Sequence, residues 1–133
     1  VNNKHVNSSE KSVILEKDTG GLPAGQEVIS IPDAAERMGV VVTKVMDLLN
    51  KGQILSVRVK GVRYIPERFF NDDGELNKFV PGVIALLADG GYTSEEILGY
   101  LYESDDSLPG RPVDALHGHL AREVMRRAQA MAI

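Results

Sequence analysis

Two short amphipathic segments hinged at Gly39, a basic segment of period 2 after Gly52, and helical periodicity from Pro81 onward together predict a mainly α fold. The expected architecture is a winged helix-turn-helix with a two-stranded β wing, packed on a C-terminal helical domain. The chain divides into a flexible N-terminal tail over 1–27, the winged helix-turn-helix over 28–70 and the helical domain over 71–133.

The tail mixes Asn, Ser, Lys, Glu and Gly around one apolar triplet, Val13 to Leu15. Its cluster Gly20, Gly21, Pro23, Gly25 suits neither a helix nor a sheet. The first helix starts at Pro32 behind a cap at Ser30 or Ile31, and turns Ala34, Ala35 and Met38 inward. Gly39 ends it, because a sharp turn there needs a left-handed backbone or an absent side chain. A second helix from Val42 or Thr43 to Asn50 buries Val45, Leu48 and Leu49. Thr43, Lys44, Asp47 and Lys51 occupy its other face.

Beyond Gly52, Leu55, Val57 and Val59 alternate with Ser56, Arg58 and Lys60 as a half-buried strand. Gly61 reverses the chain, and Val62 to Ile65 return as a second strand ending at Pro66. A hairpin of this size is marginal alone, so it must pack on the helices, which fixes its tip of Arg58, Lys60 and Arg63 relative to the second helix. Asn71, Asp72, Asp73 and Gly74 form a turn. Pro81 lies in the first turn of a helix reaching about Ala88, apolar almost all round through Val83, Ile84, Leu86 and Leu87. Thr93 and Glu96 read as a capping box before a helix carrying Ile97, Leu98, Leu101 and Tyr102. Glu103 to Arg111 is an acidic loop. Pro112 opens one final helix striped by Val113, Leu116, Leu120, Val124 and Met131, with Arg122, Arg126 and Arg127 beside the stripe.

The chain of 133 residues is one domain, or two small lobes sharing a core. It has no cysteine, so neither a disulfide framework nor a thiolate metal site is available, and a reducing cytosol suits it. No apolar run approaches the roughly 20 residues of a membrane helix, and the polar start does not read as a signal peptide, so a cytoplasmic protein is expected. The net charge of −4 argues at first against nucleic acid. By segment, however, residues 1–29 carry −1, residues 30–70 carry +3 and residues 71–133 carry −6. Charge is sorted along the chain, and the basic part coincides with the helix pair and hairpin.

Catalytic chemistry finds no support, and no enzyme, cofactor or metal site is expected. His117 and His119 lie about 200° apart on a helix and cannot close on one metal. Asp72-Asp73-Gly74 begins like a calcium loop, but Ile84 stands where the closing Glu belongs. The glycine pairs at Gly20 and Gly90 lack the spacing and following Lys-Ser/Thr of a phosphate loop. For the basic hairpin the plain alternative is a solvated edge strand kept from aggregating by its charges. The helix pair directly before it favours double-stranded DNA as partner. Thr43, Lys44 and Lys51 would then enter the major groove, while Arg58, Lys60 and Arg63 hold flanking phosphates or the minor groove. Asp47 is expected to stand away from phosphate. Ser8, Ser9, Ser12 and Thr19 are candidate phosphorylation sites, where added negative charge would oppose DNA binding.

The segment MGVVVTKVMDLLNKGQILSVRVKGVRYIP resembles the winged helix-turn-helix of the MerR and excisionase type. From Leu22 onward, through LPAG, FFNDDGELNKFVPGVIALLADGGYTSEEIL and RPVDALHGHLAREVMRRAQAMA, the chain is similar to an actinobacterial DNA-binding protein family whose mycobacterial member is a substrate of the serine/threonine kinase PknL. The resemblance implies DNA binding in transcriptional regulation, an all-helical C-terminal extension and a kinase acting on the tail. It transfers no phosphosite, since the sequence before Leu22 departs from the family. The last helix also resembles the toxin-binding ends of some antitoxins, so the competing class is a protein-interaction adaptor using the acidic half. A homodimer through the final apolar stripe is a further expectation, unless that stripe packs on the chain's own core.

Overall fold

The computed structural model describes residues 12–133. Its first element is a strand, β1 (Ser12–Ile14), antiparallel to β2 (Glu27–Ser30). The expected flexible tail is therefore corrected from Ser12 onward. Leu15 and Leu22 are buried in the core, and Thr19 and Leu22 exchange backbone hydrogen bonds of 2.8 and 2.9 Å across a tight turn. Gly21, read from composition as a breaker, has φ 101°, and a Cβ there would stand 2.3 Å from the carbonyl oxygen of Glu95. Here glycine permits close packing of two backbones, a use that composition alone does not separate from looseness.

α1 (Ile31–Met38) begins where Ser30 Oγ accepts the Asp33 N–H at 3.1 Å, and Gly39 closes it at φ 69°. Asp33 is buried, and its charge is answered by Arg37 Nε at 3.1 Å. α2 (Val42–Asn50) packs on α1 through Val45, Leu48 and Leu49. Each such side chain taken from water contributes roughly 1.5–3 kcal/mol. The hairpin follows as β3 (Val57–Val59) and β4 (Val62–Pro66). β3 starts two residues later than the alternation from Leu55 predicts. The wing is also not an isolated pair, because β4 joins β2 and the sheet order is β1-β2-β4-β3.

A 3-10 turn (Glu67–Phe69) leads to the helical part, α3 (Val80–Asp89), α4 (Ser94–Tyr102), α5 (Pro112–Ala115) and α6 (Ala121–Met131). The Thr93 capping box is present in both directions, with Glu96 N–H to Thr93 Oγ1 at 3.1 Å and Thr93 N–H to Glu96 Oε1 at 2.8 Å. The single final helix expected from Pro112 is corrected to two, separated by a turn over 116–120. Buried Asn77 explains the break: its Nδ2 donates to the Leu116 carbonyl at 3.0 Å, taking an acceptor that a continuous helix would use internally. His117 Nε2 donates to the Arg68 carbonyl at 2.7 Å from the same turn. Val124 and Ala128 of α6 are buried, and α6 lies along α3, so the stripe packs on the chain's own core.

One apolar cluster runs from Leu15 through Val45, Ile65 and Phe69 to Leu101 and Val124. The helix pair, the sheet and the C-terminal helices share it. At its rim Asp114 joins the two parts, accepting from Arg68 Nε at 2.8 Å and Arg111 Nε at 2.8 Å, while Arg111 Nη1 also reaches Gln26 Oε1 at 2.7 Å. The Arg111 hydrogen bonds, followed by that of Arg68, hold the Asp114 carboxyl down at about 2, against partial burial, which raises it.

Candidate nucleic-acid interface

The helix pair presents α2 outward because α1 takes up its apolar face. Thr43, Lys44 and Lys51, the three residues expected in a groove, are all exposed. Lys51 Nζ lies 3.1 Å from Asp47 Oδ2, an i,i+4 pair on the open side of the helix. Asp47 thus turns its charge along the helix toward Lys51. An exposed pair of this kind is worth well under about 1 kcal/mol, so an incoming phosphate can displace it.

The hairpin closes through the two-residue loop Lys60-Gly61, with φ 52° and 81°. Two successive positive φ values are what a right-twisted two-residue hairpin requires. Lysine tolerates this less well than asparagine or glycine, so the tip carries a charge at a position where local stability favours another residue. Directly behind it, Arg58 and Arg63 face each other across β3 and β4. Their place next to the loop-closing pair makes them a non-hydrogen-bonded pair, in which side chains approach most closely. Like charges so placed repel. Arg58 Nη1 reaches only the Gly61 carbonyl at 3.4 Å, and Arg63 Nε reaches Ser56 Oγ at 3.3 Å.

Ion pairing separates these cations from the others of the basic segment. Arg37 is held by Asp33 and Glu67, and Arg68 by Asp114. Among the described residues, no carboxylate lies within ion-pair distance of Lys44, Arg58, Lys60 or Arg63. Four of the six residues expected to touch DNA are therefore uncompensated cations, on α2 and on the wing.

Two residues of this surface escaped the sequence reading. Val41 and Val42, at the start of α2, are 69% and 44% exposed. Val41 stands at the N-cap, where a hydroxyl or carboxamide is the stabilising choice, and no side chain caps the helix. The available signal was the run Val40-Val41-Val42, too long to be buried entirely at a turn; only Val40 packs against the core.

The phosphorylation candidates divide. Ser8 and Ser9 lie outside the described residues. Ser12 opposes Ile29 in the β1–β2 ladder, and Thr19 Oγ1 donates to the Lys17 carbonyl at 2.8 Å within its turn. No group of three or more His, Asp or Glu that could hold an ion occurs among the described residues. No helix among them is long and apolar enough to cross a membrane.

Comparison with known proteins agrees with this geometry along almost the whole chain. Residues 15–70 match the family model described as DNA-binding protein Rv2175c, wHTH domain, and residues 78–132 match the Rv2175c C-terminal domain of unknown function. The chain is 42% identical over 132 residues to DNA-binding protein Rv2175c of Mycobacterium tuberculosis, covering 85% of this chain and 90% of that protein. The NMR structure of Rv2175c aligns with a TM-score of 0.74 at 40% identity, over 86% of this chain and 92% of that one. With both family domains present in order and a solved relative of the same fold, the chain belongs to the Rv2175c family of winged helix-turn-helix proteins.

Proposed function

We propose that this protein binds double-stranded DNA and acts in transcriptional regulation, with α2 in the major groove and the β3–β4 wing along the flanking backbone. Lys44 and Thr43 reach the groove, Lys51 exchanges Asp47 for phosphate, and Arg58, Lys60 and Arg63 grip the backbone. The observation that carries this reading is the face-to-face pair Arg58 and Arg63, repelling across the hairpin with no carboxylate of the described residues in ion-pair distance. A polyanion removes that repulsion. The winged-helix family and the DNA-binding name of the relative support the same reading.

The acidic C-terminal part orients the docking by repelling phosphate from the far side. Regulation by a serine/threonine kinase of the PknL kind belongs to the proposal. A phosphate in the N-terminal segment adds about −1.5 to −2 charge and lowers DNA affinity. Thr19 and Ser12 would have to leave backbone-bonded positions to enter a kinase, so Ser8 and Ser9 are the sites first to test.

Fluorescence anisotropy with a random-sequence duplex over a salt series tests the proposal. The expected result is an affinity falling steeply with salt, with Lys60→Ala and Arg63→Ala each reducing the slope by about one. Absence of salt-dependent binding would favour the adaptor alternative, in which the helical half docks a protein and the winged helix is scaffold.

A further inference from the structure

We infer that Val41 and Val42 read the 5-methyl groups of thymine, so that the sites this protein prefers carry thymine where the start of α2 meets the major groove. The inference rests on the DNA-binding proposal and adds its base preference. Among the described residues the large apolar side chains left in water are Ile14, Val41, Val42, Val62 and Ile133. Three of the five lie on the helix start and wing, where the unpaired cations are.

The position of the two valines is specific. α2, like α3, α5 and α6, has no side-chain cap, but the cap residues of those three, Phe79, Arg111 and Leu120, are half-buried, whereas Val41 stays 69% exposed. A polar residue there would stabilise the helix and remove an apolar surface from water. The N-terminal residues of a groove-reading helix are those that meet base edges, and the one apolar group displayed in the major groove is the thymine methyl.

Charge selects this occupant over a second copy of the chain. Lys44 follows Val42 by two residues, and like Arg58, Lys60 and Arg63 on the same module it has no ion-pair partner among the described residues. Apposing two such modules brings cation to cation. A DNA groove offers methyl groups flanked by phosphates, which complements apolar side chains flanked by cations.

The test compares a duplex of alternating dA and dT with one of alternating dA and dU, which lacks only the methyl groups, for the wild-type chain, Val41→Ser, Val42→Ser and the double variant. Val41→Ser supplies a capping hydroxyl, so loss of folding does not obscure its effect. The wild type is expected to bind the uracil duplex about fourfold more weakly for each methyl it covers. Each single variant keeps one valine and should lose only part of this discrimination, while the double variant should bind both duplexes alike. Equal wild-type affinities, with the salt dependence intact, overturn the methyl contact and leave DNA binding standing. No salt-dependent binding to either duplex overturns both. A dimer by light scattering that Val41→Ser converts to monomer, with equal affinities for the two duplexes, assigns the valines to a second copy and also overturns it.

Discussion

Lys60 has φ 52°, the one non-glycine residue with positive φ among those described, and it sits at the tip of the wing. A lysine there costs about 1 kcal/mol relative to a residue suited to the left-handed region. Lys60→Asn, which restores the Asn-Gly loop favoured by two-residue hairpins, is therefore expected to raise stability by up to about 1 kcal/mol while weakening DNA binding. Thermal melting and anisotropy on the same variant check the opposed signs. Arg63→Glu makes the same point across the strands, since it turns a repulsive pair into an attractive one worth about 0.2–1 kcal/mol. Its melting temperature should rise and its DNA affinity should fall in 50 mM salt; a variant that melts higher and binds as well as wild type removes the wing from the interface. The charges at these positions were legible in the sequence as an alternating basic strand. Their isolation from carboxylates was not, because Arg68 and Arg37, equally basic on paper, are neutralised by Asp114 and Glu67 brought from elsewhere in the fold, Arg37 also by its helix neighbour Asp33.

At the level of elements, local chemistry that completes itself within a few residues was readable. Ser30, Gly39, Thr93 and Glu96 mark helix ends by hydrogen bonds to near neighbours, and the structure places those ends within a residue or two of the sequence expectation. Thr93→Ala should cost about 1 kcal/mol in urea denaturation and leave DNA affinity unchanged, as it lies in the helical half. What failed depends on distant partners. β1 forms because β2 and a buried Leu22 receive it, and the turn between α5 and α6 exists because Asn77 draws off the Leu116 carbonyl from 39 positions away. Asn77→Ala leaves that carbonyl and the Asn71 side chain without this donor, a loss of about 1–3 kcal/mol, measurable by the same denaturation. If Asn77→Ala is neutral, the α5–α6 break has another cause.

Over the whole molecule, the −6 of residues 71–133 outweighs the +3 of residues 30–70, yet among the described residues the ion pair that reaches from the acidic half to its neighbour is at Arg68. The joint between the halves carries a pH signature. Asp114 is held at about 2, below its ordinary 3.8, by Arg111 first and Arg68 after it. A carboxyl depressed on folding contributes fully above its unfolded value and loses the contribution as pH falls through the folded one. The stability difference between wild type and Asp114→Asn should therefore be constant at neutral pH, begin to shrink near pH 4 and be largely gone near pH 2. Unfolding curves at several acid pH values check this, and a pH-independent difference would mean that the bridge is not what Asp114 supplies.

The apolar cluster has no seam between the winged helix and the helices behind it. Free energy gained at one end of such a body is felt as resistance to melting at the other. The chain has no tryptophan and four tyrosines, three of them, Tyr92, Tyr100 and Tyr102, in the helical half. Their intrinsic emission, together with that of Tyr64 on the wing as the fourth, should thus register DNA bound at the proposed wing surface as a delayed thermal transition, giving a label-free readout.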